Sequence, residues 1–138
     1  MILTCNYEEL QALRRGGELL ARGDVARSWS DEGVVLEGGL ARARGRFEWL
    51  QPQLTGDLSV ATLGEQVDLE AAIRDLVQVL RAEMHAEVLA AHPADEGAVA
   101  AYFDYAHALS VLGRLREIGD SMRAVAELVG GVELAFPD

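Results

Sequence analysis

Two long runs of helix-spaced apolar residues, separated by a very short break, constrain the fold more than any other feature. From about Ser59 to His92 the residues Val60, Leu63, Val67, Ile73, Leu76, Leu80, Met84 and Val88 recur mostly at three- and four-residue steps. Pro93 and Ala94 interrupt the run, and an alanine-rich second run continues to about Val129 before Gly130-Gly131. A connection this short folds two helices back on each other, so the spacing predicts an antiparallel hairpin of helices 59–92 and 95–129. Its signals are local: His92 suits the negative end of the first helix dipole, and Asp95 suits the N-cap of the second. A chain of 138 residues is one domain's worth of material, so residues 1–138 are expected to form a single helical domain.

The hairpin needs cover. Asn6 followed by Glu9 has the spacing of a reciprocal capping box and predicts a helix over 7–22, carrying Leu10, Leu13, Leu20 and Ala21. Gly16-Gly17 is expected to weaken its middle and Gly23 to end it. Residues 24–56 carry two patterns. Ala41 to Trp49 alternates like a strand that Gly38-Gly39 turns against Val34, Val35 and Leu36, while Leu40, Ala43, Phe47, Leu50 and Leu54 step like a helix. Arginine, alanine and leucine are good helix formers, so helix 40–54 is preferred, with Pro52 bending its last turn. Thr55-Gly56-Asp57 reads as a break. Ile2 to Cys5 reads as a short strand, and the alternation Val132 to Phe136 supplies a partner that ties the chain ends together. The expected fold is therefore mainly α: a helical bundle built on a long antiparallel hairpin, with a small terminal β-pair.

Charge excludes several functions. The chain holds 23 acids against 12 bases, all of the latter arginine, for a formal charge of −11. Residues 1–56 carry seven arginines against eight acids, and residues 57–138 five against fifteen, so the acidity belongs to the hairpin side. A phosphate-backbone binder needs a basic face, so no nucleic-acid partner is expected. No apolar run approaches the length of a membrane span, so a cytoplasmic chain with no membrane partner is expected. Cys5 is the only cysteine; it offers neither a disulfide nor a sulfur-rich zinc site and reads as a small buried residue. No nucleophile elbow, phosphate loop or His-Glu-x-x-His pair names a reaction, and no catalytic residues or cofactor are assigned.

What remains is a surface. Val111, Leu115, Ile118, Met122, Val125 and Val129 step alternately by four and three, the spacing of a coiled-coil seam. Tyr102, Tyr105, Leu109 and Leu112 add an offset row, giving an apolar arc too broad for one partner helix. The arc is covered either within the chain, by the other helices and the 40–54 segment, or by a partner; the partner is preferred, and the expected interface is Leu109, Leu112, Leu115, Ile118, Met122 and Val125. The function it implies is a non-catalytic interaction or adaptor module, acting as a homodimer and engaging a further protein. The rival reading is a metal- or small-molecule-binding bundle in which Asp104 and His107, three residues apart, face His85 across the hairpin with Glu83 and Glu87 nearby. Arg42, Arg44 and Arg46, with Arg14, Arg15, Arg22 and Arg27 upstream, read mainly as internal partners of the acidic hairpin. Trp29 and Trp49 flank that basic segment.

Overall fold

In a computed structural model, the described residues are 1–22, 36, 38–90 and 96–130. The elements run β1 (Ile2–Thr4), α1 (Tyr7–Ala21), α2 (Leu40–Leu50), a 3-10 turn (Gln51–Gln53), β2 (Asp57–Ser59), α3 (Leu63–Ala90) and α4 (Glu96–Gly130). The expected mainly helical bundle, built on an antiparallel hairpin, is the observed fold. Helices α3 and α4 pack along each other, α1 lies against both, and α2 lies against α1 and α3. Trp29, Val34 and Val35, the His92 and Asp95 caps, and the strand expected at Val132–Phe136 all lie outside the described residues.

The capping box opens α1 as its spacing predicts. The Glu9 amide donates to Asn6 Oδ1 at 2.8 Å, and the Asn6 amide donates to Glu9 Oε1 at 2.9 Å. Leu13, Leu19 and Leu20 then point into the core. Gly16 and Gly17 do not break the helix. They are buried where its neighbours come closest, Gly16 against Leu76 and Gly17 against the Phe47 ring, so the missing side chains admit packing that a Cβ would obstruct. The cost in helix propensity is offset by contact area.

The segment 40–50 is helical, as preferred over the strand, but the helix ends at Leu50 and passes into the 3-10 turn at Pro52. Its inward residues are Ala43 and Leu50, with Phe47 partly buried beside them.

Two expectations about the connection to α3 are corrected. The helix expected from Ser59 begins at Leu63, because Thr62 Oγ1 accepts from the Glu65 amide at 3.1 Å and fixes the start there. The preceding Asp57–Ser59 is a strand rather than a break, pairing antiparallel with β1 in the register Ile2↔Ser59, Leu3↔Leu58, Thr4↔Asp57. The N-terminal strand thus finds its partner in mid-chain. Gly56, at φ 139°, lets the chain turn into it, and its carbonyl accepts from the Cys5 amide at 2.8 Å. Leu3 and Leu58 are the inward members of the pair, and Cys5 is buried beside them. Burial first, then the charges of Glu9 and Asp57, push the Cys5 thiol above its ordinary range against the pull of Arg114.

Polar ties lock the layers. Arg114 of α4 reaches the buried carboxylate of Glu9 and also donates to the Thr4 carbonyl at 2.7 Å, joining β1, α1 and α4. No helix among the described residues is long and apolar enough to cross a membrane.

Candidate interaction surface

Helix α4 is the longest element, 35 residues against 28 in α3, and its faces meet different surroundings along its length. The hairpin register is fixed by Gln66, which is fully buried and whose Nε2 donates to the Leu115 carbonyl at 3.1 Å and to Glu70 Oε1 at 2.9 Å. Gly119 gives Gln66 room, since a Cβ there would sit 2.5 Å from its Nε2. The start of α3 consequently lies level with the region just beyond Gly119, and the last turns of α4 run past it.

That register divides the expected interface. Leu112 and Leu115 are enclosed in the chain's own core, because α3 covers this part of the seam. They are not surface residues of the single chain. Ile118 and Met122 pack at the edge of the core. Leu109 and Val125 are exposed, the first because it points away from α3 and the second because it lies on the overhang, together with Leu128 at 77% exposure and Val129.

A second exposed apolar face lies elsewhere on the same helix. Val99, Tyr102, Phe103 and Leu109 are all exposed, Tyr102 and Phe103 by more than half, and their rings meet edge to face at 5.7 Å. With Ala106, Ser110 and Gly113 they occupy one side of α4, opposite the buried Ala101, Ala108, Leu112 and Leu115. Val99, Phe103 and Gly113 stand outside the seam periodicity. The signal that marks them is charge: between Gly97 and Gly113 the only formally charged residue is Asp104, in a chain of which 25% is charged.

Asp104 itself faces inward. It lines a cavity of about 180 Å3 with Arg15, Glu83 and Glu87 where α1 meets the hairpin. Burial raises its carboxyl above the ordinary carboxylate range, opposed by Arg15 and then His107. Phe103 stacks in a tilted arrangement on His107 at 6.4 Å. The described residues contain no group of three or more His, Cys, Asp or Glu able to hold a metal ion, so His85, Asp104 and His107 are not gathered into a ligand set.

The arginines of the basic segment separate into distinct roles. Arg44 Nε donates to the Leu20 carbonyl at 2.6 Å at the end of α1, and Arg14 donates to the Leu54 carbonyl at 2.6 Å. Arg46 meets the buried Asp75 at 2.6 Å. Arg42 is exposed. Trp49, at 43% exposure, sits on the α2 surface rather than in the core.

Comparison with known protein families, with characterised proteins and with solved structures finds no match to this chain.

Proposed function

We propose that the protein is a non-catalytic interaction module that works as a homodimer, two copies meeting through the exposed face of α4 between Val99 and Gly113. The observation that carries this reading is the uncharged apolar face on an otherwise strongly acidic chain. Contiguous exposed apolar surface of this kind is uncommon on a protein that acts as a monomer. Its composition suits close helix approach, since Ala106, Ser110 and Gly113 leave the middle low while Tyr102, Phe103 and Leu109 flank it.

A second copy is the occupant favoured by charge. In an antiparallel two-fold pair centred on Ala106, residues whose numbers sum to about 212 lie opposite each other. That sets Glu96 of one copy level with Arg116 of the other at each end, on opposite flanks of the stripe, so only uncharged faces meet between them and no charge is buried.

The test is native mass spectrometry and sedimentation equilibrium on the whole chain and on Phe103→Glu, a substitution at an exposed position. The whole chain is expected to be a dimer. Loss of two buried aromatic contacts, about 3 to 6 kcal/mol in all, is expected to raise the dimer dissociation constant by two orders of magnitude or more. A monomeric whole chain at tens of micromolar sinks the reading, as does a Phe103→Glu dimer of unchanged strength. A retained metal ion in the same spectrum would favour the rival reading around Asp104.

A further inference from the structure

The inward side of α2 is used up by Ala43, Phe47 and Leu50, but its other side is not. Arg42, Gly45, Arg46 and Trp49 stand at i, i+3, i+4 and i+7 and therefore share one face. Opposite them on α3 stand Val67, Asp68, Ala71 and Arg74, and the two faces line a groove of about 630 Å3. That volume is in the range of small-molecule sites, roughly 300 to 1,000 Å3.

The groove has a direction. The Arg46–Asp75 ion pair at one level, and the crevice that Trp49 shares with Glu65 and Asp68 at another, set α2 and α3 antiparallel. Arg42 and Arg74 therefore close one end, and Trp49, Val67 and Asp68 form the other. Seven residues of helix separate Arg42 from Trp49, about 10 Å. Arg46 is engaged by Asp75, whereas neither Arg42 nor Arg74 has an ion-pair partner among the described residues. Two guanidiniums at one end of a groove with no ion-pair partner among the described residues are unusual in a chain of charge −11, where acids outnumber bases nearly two to one.

The floor is open by composition. A Cβ built on Gly45 meets nothing within 4 Å, so packing does not require glycine there, and the residue opposite is only alanine. Glycine inside a helix lowers its stability, so at Gly45 that loss is not repaid by any close contact. At the far end Trp49 presents a large aromatic surface to solvent where tryptophan more often is buried.

We propose that this groove binds a small organic anion with a flat apolar body, its carboxylate or phosphate held by Arg42 and Arg74 and its rings lying across Gly45 and Ala71 onto Trp49. Guanidinium forks recognise both head groups through paired hydrogen bonds, and the aromatic surface recognises the body. The negative charge must sit at one end only, because Asp68 and Glu65 repel a second anion near Trp49. That asymmetry favours a single-headed small molecule over an acidic peptide. The site is separate from the α4 face, so it stands or falls independently of the dimer.

The experiment is isothermal calorimetry on the whole chain with 2-naphthoate and 2-naphthyl phosphate, with neutral 2-naphthol, acetate and inorganic phosphate as comparisons. Saturable one-to-one binding is expected for at least one aryl anion, and the stronger of the two identifies the head group. The neutral ring and the ringless anions are expected to bind at least about tenfold more weakly, as are Arg42→Ala and Arg74→Ala with the aryl anion. Gly45→Met is expected to abolish binding while the melting temperature stays level or rises, since the added side chain enters open space. Arg42 is exposed, so its alanine variant keeps the test valid even where another variant folds poorly. Absence of saturable binding by both aryl anions at millimolar concentration overturns the proposal. So does a folded Gly45→Met that binds as the unaltered chain does, or an acidic, aromatic-bearing peptide that binds more tightly than either probe.

Discussion

At Gly17 a single missing carbon decides how closely α1 and α2 approach, because an added Cβ would fall inside the Phe47 ring. At Gly45 the same carbon meets empty space. The two glycines therefore predict opposite signs for one substitution. Gly17→Ala gains about 1 kcal/mol in helix propensity but forces the ring out of its packing, for a net loss of about 1 to 2 kcal/mol. Gly45→Ala gains about 0.5 to 1 kcal/mol with nothing to offset it. Urea denaturation of the two variants checks both, and equal effects would show that α1 and α2 are not in close contact. Nothing in the local sequence distinguishes these glycines; the difference is made by what packs from 30 residues away. The Asn6–Glu9 box was legible for the opposite reason, since all its partners lie within one turn. Asp104 adds a pH dependence. Its folded-state pKa lies above the unfolded value because burial outweighs Arg15 and His107, so the folded state binds the extra proton and this group lowers stability as pH rises through that range. Asp104→Asn is expected to raise the melting temperature at neutral pH, with the gain fading below the ordinary carboxylate range. A gain that grows on acidification would contradict the burial argument.

Among the elements, the long helices were readable because their apolar period persists over many turns, and the joints were not. Ser59 continues the helical stripe toward Val60 and Leu63, yet Thr62 caps α3 three residues on, and β2 occupies the approach because Ile2–Thr4 pairs with it. Strand pairing depends on a segment more than 50 residues away, beyond what any local pattern encodes. The α3–α4 contact shows the same limit. Gln66 sits between Glu65 and Val67 in the sequence and carries no motif, but it is the fully buried polar side chain that sets the hairpin register, with its Oε1 lacking a hydrogen-bond partner among the described residues. Gly119 exists to admit it. Gly119→Ala is expected to cost about 1 to 3 kcal/mol in the unaltered chain and markedly less when combined with Gln66→Ala, which removes the obstructing amide. A double-mutant cycle from chemical denaturation measures the difference, and strict additivity would mean that the two residues do not meet.

Over the whole molecule, charge and apolar surface are arranged together. Most of the excess acid lies on the hairpin side, and the one long stretch of α4 free of outward charge is bounded by Glu96 at its start and Arg114, Arg116 and Glu117 at its end. Two chains of charge −11 repel at a distance, so an antiparallel pair must be held by short-range contacts between their uncharged faces. This balance is testable with salt. Screening weakens the long-range repulsion and leaves apolar contacts in place, so the dimer dissociation constant is expected to fall as salt rises from low to physiological concentration. Glu96→Arg and Arg116→Glu change charges on opposite flanks of the stripe, about 160° apart around the helix, and each is expected to shift dimer strength by less than about 1 kcal/mol, under about fivefold. Sedimentation equilibrium at the two salt concentrations reads all three chains. A dimer that weakens as salt is added would mean that ion pairs, and not the apolar face, hold the copies together.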